Sequence, residues 1–221
     1  MVNNFDLINK YLKFYNNRSF YFVQVLKRKK ENPEMRSYAL QIESYYIFSN
    51  EQFERVMPHI IEKCEQNRAR AYIKLNCLDA LSVGLTTISC LTQEIRKEHW
   101  KALNACFNMA CGQCGKQDGT EKLYLIDLDN ETPESCQKYI DVINGLPPVN
   151  NTDKIKLIVP TRNGVHLMST GFELPTFKQI YPKIDIHDDG NTLLYFPACC
   201  DEKPDNQSNQ TEPDAAEISD K

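Results

Sequence analysis

Apolar and polar positions along the chain fall into blocks of period two and period near 3.6, which set out an order of strands and helices. Phe5, Ile8, Leu12 and Tyr15 make one helical stripe, predicting a short helix over residues 6–16. Residues 20–26 read as a strand that runs into Lys27-Arg28-Lys29-Lys30 and the turn Glu31-Asn32-Pro33-Glu34. Residues 37–48 return as its hairpin partner. Asn50 caps a predicted helix to about residue 66, with Phe53, Val56, Ile60, Ile61 and Cys64 on its apolar side. Residues 69–76 alternate as a strand, with Arg70, Tyr72, Lys74 and Asn76 on one face and Ala71, Ile73 and Leu75 on the other. The pattern from 79 to 107 is helical, in two helices, and includes the single tryptophan, Trp100.

The following part of the chain has a clear order. Leu123-Tyr124-Leu125-Ile126-Asp127-Leu128-Asp129 is a strand that ends in two acids one residue apart. Thr132 as N-cap, Pro133 at the first helical position and Glu134 in the first turn open a helix that Gly145 closes. Residues 155–159 form a second strand, so this strand–helix–strand unit implies parallel strands joined by a right-handed crossover. Asn163-Gly164 signals a hairpin, after which residues 165–169 return antiparallel. The result is a βαββ unit, followed by a short helix over 176–181 and a last strand over 191–196.

A chain of 221 residues with 41% hydrophobic content buries a real core. No apolar segment is long enough to span a bilayer, and the first residues lack the pattern of a signal peptide. Nine cysteines in that setting read as reduced thiols, and the expected location is cytoplasmic, without membrane contact. Net charge is −4, but the segment 201–221 alone carries −5, which leaves about +1 for the rest. That tail is polar, holds two prolines and is expected to be disordered. Whole-molecule charge therefore selects no partner.

Side chains on a strand alternate, so Asp127 and Asp129 share a face roughly 7 Å apart. Carboxylates at the end of an apolar strand repel each other unless a cation lies between them, and Mg²⁺ or Mn²⁺ suits such oxygens. The competing reading has Asp129-Asn130 open the turn to the next helix. His166, beside the Gly164 turn, reads either as a packed strand histidine or as a phosphate ligand, with Arg162 adding a fixed charge. The basic tip Lys27, Arg28, Lys29 and Lys30 fits either a solvated turn or a nucleic-acid backbone contact helped by nearby tyrosines. The polar row containing Arg70 and Lys74 fits either phosphate and nucleobase binding or the wet face of a sheet. Cys111-Gly112-Gln113-Cys114 has the spacing of half a zinc site or of a turn with two thiols.

Ile126-Asp127-Leu128-Asp129 followed by Thr161-Arg162-Asn163-Gly164-Val165-His166 resembles the first two motifs of the archaeo-eukaryotic primase superfamily, the primase-polymerases. The chain's general style is also similar to proteins of phages and mobile elements. The resemblance implies an α/β (α+β) fold: an N-terminal α/β module (1–118) packed on an RRM-like catalytic-type module (119–198), before the acidic tail (199–221). It implies Asp127, Asp129 and a third acid as ligands of Mg²⁺ or Mn²⁺; Ile184-Asp185 fits that third motif, with Asp188 and Asp189 as competitors. It also implies His166, Arg162 and Thr161 on the phosphates of a nucleoside triphosphate, with Lys74 and Arg70 assisting, a DNA or RNA template, and replication proteins as partners. Thr161-Arg162 stands where the family often has Ser-Gly, and the gap from His166 to Asp185 is short. The expectation is a DNA-directed primase or polymerase. A non-catalytic nucleic-acid-binding or accessory module and a two-metal nuclease are the alternatives.

Overall fold

The computed structural model describes residues 1–149 and 153–200, so the acidic segment 201–221, expected to be disordered, lies outside the described residues. The described elements are β1 (Val2–Asn3), α1 (Phe5–Asn9), β2 (Ser19–Arg28), β3 (Ala39–Ile47), α2 (Asn50–Asn67), β4 (Arg70–Asp79) and α3 (Ala80–Arg96). A 3₁₀ turn (Trp100–Ala105) leads to α4 (Cys106–Gln113), β5 (Tyr124–Asp129), α5 (Gln137–Gly145), β6 (Ile155–Pro160) and β7 (Gly164–Ser169). The chain closes with α6 (Leu174–Ile180), β8 (Asp185–His187), β9 (Asn191–Phe196) and a 3₁₀ turn (Ala198–Cys200). This is a mixed α+β fold with two antiparallel sheets.

Local chemistry explains most boundaries. Ser49 caps α2 by accepting from the Gln52 amide at 3.1 Å, and Asp79 caps α3 by accepting from Leu81 and Ser82, both at 3.0 Å. The helix expected to reach residue 16 stops at Asn9. Side-chain oxygens take its later amides: Lys13 N–H donates to the Tyr21 hydroxyl at 3.1 Å, and Tyr15 and Asn16 both donate to Ser19 Oγ at 3.0 Å. Thr132 accepts from the Ser135 amide, but the regular helix begins only at Gln137.

The larger sheet has the order β1-β9-β4-β2-β3 and the smaller β6-β7-β5-β8. β5 and β6 run in the same direction, as the crossover requires, but β7 lies between them and pairs with both. One face of the smaller sheet (Ile126, Leu128, Val165, Leu167) buries against Ile143 of α5 and Phe177 of α6. On the other side Leu123, Leu125, Val159 and Met168 join the main core with Val23, Ile73 and Leu194. The last strand, read from sequence with the C-terminal unit, pairs instead with β4 and β1 in the larger sheet. Asn4 ties the sheets by donating through Nδ2 to the carbonyls of Pro160 and Leu193, both at 2.9 Å. No helix among the described residues is long and apolar enough to cross a membrane.

Candidate active site

A cleft of about 380 Å³ opens where the two sheets meet. The smaller sheet contributes Asp127 and Asp129 at the end of β5, His166 from β7, and Thr161 and Arg162 from the turn between β6 and β7. Facing them, the larger sheet contributes Arg28 and Lys30 from the β2–β3 hairpin and Arg70 and Tyr72 from the start of β4. A carboxylate wall thus confronts a guanidinium wall.

Strand register builds the acidic side. Asp127 lies directly opposite His166 on β7 and opposite Asp185 on β8, so the three side chains form one row across three strands. Burial, reinforced by the charges of Asp129 and Asp185, raises the Asp127 carboxyl above the usual carboxylate range. Asp188 pairs with Lys122, and Asp189 with Lys74 and Asn76; Asp185 lies in register with Asp127 but does not itself line the cleft.

His166 points one ring nitrogen, Nε2, at Asp127 Oδ1, 3.6 Å away, and the other, Nδ1, at Thr192 Oγ1, 2.9 Å away. Burial and then the neighbouring His187 push its pKa down to about 4, so the imidazole is neutral at pH 7. The imidazole thus offers the cleft a hydrogen-bonding group, not a cation.

The 161–164 turn is fixed to the end of β5. Thr161 N–H donates to the Gly164 carbonyl at 2.8 Å, and Asn130 N–H, from a residue with φ 62°, donates to the Asn163 carbonyl at 2.6 Å. A side chain at Gly164 would collide with the Leu128 carbonyl, so only glycine lets the turn come this close. Arg162 and Arg70 both stack on the buried ring of Phe196, with guanidinium carbons 5.1 and 4.7 Å from its centroid. Arg70 also pairs with the buried Glu31 carboxylate. Arg28 donates to the hydroxyls of Tyr72 and Tyr38, both at 3.2 Å.

Other residues singled out in the sequence lie elsewhere. Lys74 is buried, with its ammonium 2.5 Å from Asp189 Oδ2, 2.7 Å from the Cys114 carbonyl and 3.1 Å from that of Cys111. Lys27 pairs with Glu34 at 3.4 Å; neither it nor Lys29 lines the cleft. Arg28, the last residue of β2, and Lys30, in the turn that follows, line it instead. Glu31, Thr192 and Phe196 hold Arg70, His166 and Arg162 in the cleft without any sequence signal, because each acts through a contact distant in the chain.

Among the described residues no group of three or more His, Cys, Asp or Glu side chains forms a ready-made metal cage. The donors at Asp127 and Asp129 nevertheless suit Mg²⁺ or Mn²⁺. They are hard oxygens on one strand face, where the Asp129 charge adds to burial in raising Asp127, and Mg²⁺ commonly takes one or two carboxylates and completes its shell with water and substrate phosphate. Cys111 and Cys114, at the end of α4, are thiols without a metal-binding partner set among the described residues. Comparisons with family models, curated proteins and solved structures give no match to this chain.

Proposed function

We propose that the chain is a metal-dependent nucleotidyltransferase of primase-polymerase type, acting on nucleoside triphosphates along a nucleic-acid template. One observation carries the reading: Asp127 and Asp129, with Asp185 in register, face Arg28, Lys30 and Arg70 across one cleft that Arg162 and neutral His166 also line. The smaller sheet is read as an RRM-like module. Its strand order β8-β5-β7-β6, with both helices on one face, supports this as a split βαβ unit.

In this reading Asp127, Asp129 and Asp185 hold the divalent ions, Mg²⁺ or Mn²⁺. When bound, these supply charge neutralisation at the reacting phosphate and lower the pKa of the primer hydroxyl. Arg162 and Thr161, set by the clamped turn, and His166, set by Thr192, hold the triphosphate oxygens. Arg70 adds a charge already fixed by Glu31 and Phe196. Arg28 and Lys30 meet the phosphate backbone of template or primer. Positioning and fixed charge do most of the work, since phosphoryl transfer asks little covalent chemistry of the protein.

The test is primer extension with Mn²⁺ and nucleoside triphosphates, on wild type and on Asp127→Ala and Asp129→Ala. Synthesis by wild type and its loss in both folded variants is expected. Synthesis retained by both rules the reading out. Degradation of nucleic acid without use of nucleotides would make the same acids those of a nuclease.

A further inference from the structure

α3 has two contrasting sides. Its inner side, Val83, Cys90 and Glu94, is buried. Its outer side carries Leu81, Leu85, Ile88, Thr92 and Ile95, spaced 4, 3, 4 and 3 residues apart, the spacing of a helix–helix seam. Four of these are large apolar side chains left in solvent: Leu81 is 52% exposed, Leu85 61%, Ile88 62% and Ile95 48%. A solvated helix normally turns charges outward, yet no residue from Ala80 to Gln93 is charged. The stripe is about 21 Å long at 1.5 Å per residue.

We infer that this face is a dimerisation surface, covered by α3 of a second copy packed antiparallel about a two-fold axis near Ile88. Two observations select this occupant. The acidic segment 201–221 contains Ile218 and two alanines among acids and amides, a composition that does not match an apolar stripe. An uncharged stripe also meets its own copy without opposing like charges, and antiparallel packing sets each helix's positive end beside its partner's negative end. The stripe presents on the order of 500 Å² per protomer, in the upper part of the range in which monomer patches are commonly functional, and two copies offer up to about 1,000 Å², the lower bound of a biological interface. In this geometry Ile88 meets its own copy, Leu81 meets Ile95 of the second copy, and Leu85 meets its Thr92.

The test is sedimentation equilibrium of the full chain from about 1 to 100 μM, with circular dichroism as a fold check. Wild type is expected to reach twice 25.6 kDa. Leu85→Glu and Thr92→Lys should each raise the dissociation constant at least 100-fold with an unchanged spectrum. The double variant Leu85→Glu/Thr92→Lys should recover the dimer, because the antiparallel register pairs each glutamate with a lysine across the axis. A monomeric wild type at 100 μM, a dimer indifferent to Leu85→Glu, or a double variant that stays monomeric overturns the proposal. So does a monomer whose Leu85 is needed for binding to neutral or anionic lipid vesicles, which would make this a membrane-facing surface.

Discussion

His166 and Thr192 come from different sheets, and the 2.9 Å contact between Nδ1 and Oγ1 fixes the imidazole at the mouth of the cleft. β7 supplies the ring and β9 its orientation. Thr192→Val keeps the shape of a fully buried side chain but removes the hydroxyl. The loss of one such bond is worth about 1 kcal/mol, so nucleoside triphosphate binding measured by calorimetry with Mn²⁺ should weaken about fivefold. Unchanged affinity would show that Thr192 does not hold the ring for the ligand.

Gly164 decides whether the basic turn can rest on the acidic strand. Because any Cβ there runs into the Leu128 carbonyl, Gly164→Ala has to push β7 or the turn away from β5. Such overpacking costs about 1–3 kcal/mol, and the damage should fall on the site as well as on stability. Urea denaturation should show the loss, and metal-dependent nucleotide binding should drop further than in Thr192→Val. A variant as stable as wild type would mean that the turn relaxes freely.

Lys74 separates architecture from chemistry. Its ammonium joins β4 to the end of α4 and to Asp189, and Lys74→Met would leave that carboxylate with Asn76 alone and two carbonyls without this donor. Because Asp189 is partly exposed and keeps Asn76, the main loss is the donor to the buried carbonyls, about 1–3 kcal/mol. Denaturant midpoints should fall accordingly, whereas nucleotide affinity per folded molecule should be retained. A large loss of affinity at full stability would return Lys74 to the ligand.

Acid stability provides another check on the loop that follows Asp129. Lys138, Ser135 and Tyr139 hold the Glu131 carboxylate and bring its pKa down to about 2 from an ordinary 4.5. A folded pKa below the unfolded one means that the stabilisation is complete above about pH 4.5 and fades as pH falls towards 2. Glu131→Gln should lower stability at pH 7 and flatten its decline between pH 4.5 and 2, as read from thermal melts across that window. Parallel pH profiles for the two proteins would contradict the assignment.

Much of the site was readable because strand chemistry is local. Period-two alternation places Asp127 and Asp129 on one face, and the Asn163-Gly164 turn brings His166 back beside the same strand. The run Lys27 to Lys30 looked uniform, yet β2 ends within it, and only Arg28 and the turn residue Lys30 line the cleft. Alternation also put Arg70, Tyr72, Lys74 and Asn76 correctly on one face. What it could not show is that α4 closes over the second half of that row, so that Lys74 is buried and Arg70 is not in the same environment. β8 is three residues long and too short for a period. β9 presents a nearly uninterrupted apolar run, which marks a buried strand without naming its neighbours.

The position of β9 between β1 and β4 has a consequence for synthesis. Until residue 196 has left the ribosome, a nascent chain holds β4 with one edge unpaired, and such edges invite pairing with other chains. The same late strand delivers Thr192 and Phe196, which orient His166 and two arginines. A prematurely terminated chain would therefore carry both carboxylates of β5 yet lack the side chains that aim the groups around them. Addition of β9 both fills the place between β1 and β4 and brings these two side chains to the cleft.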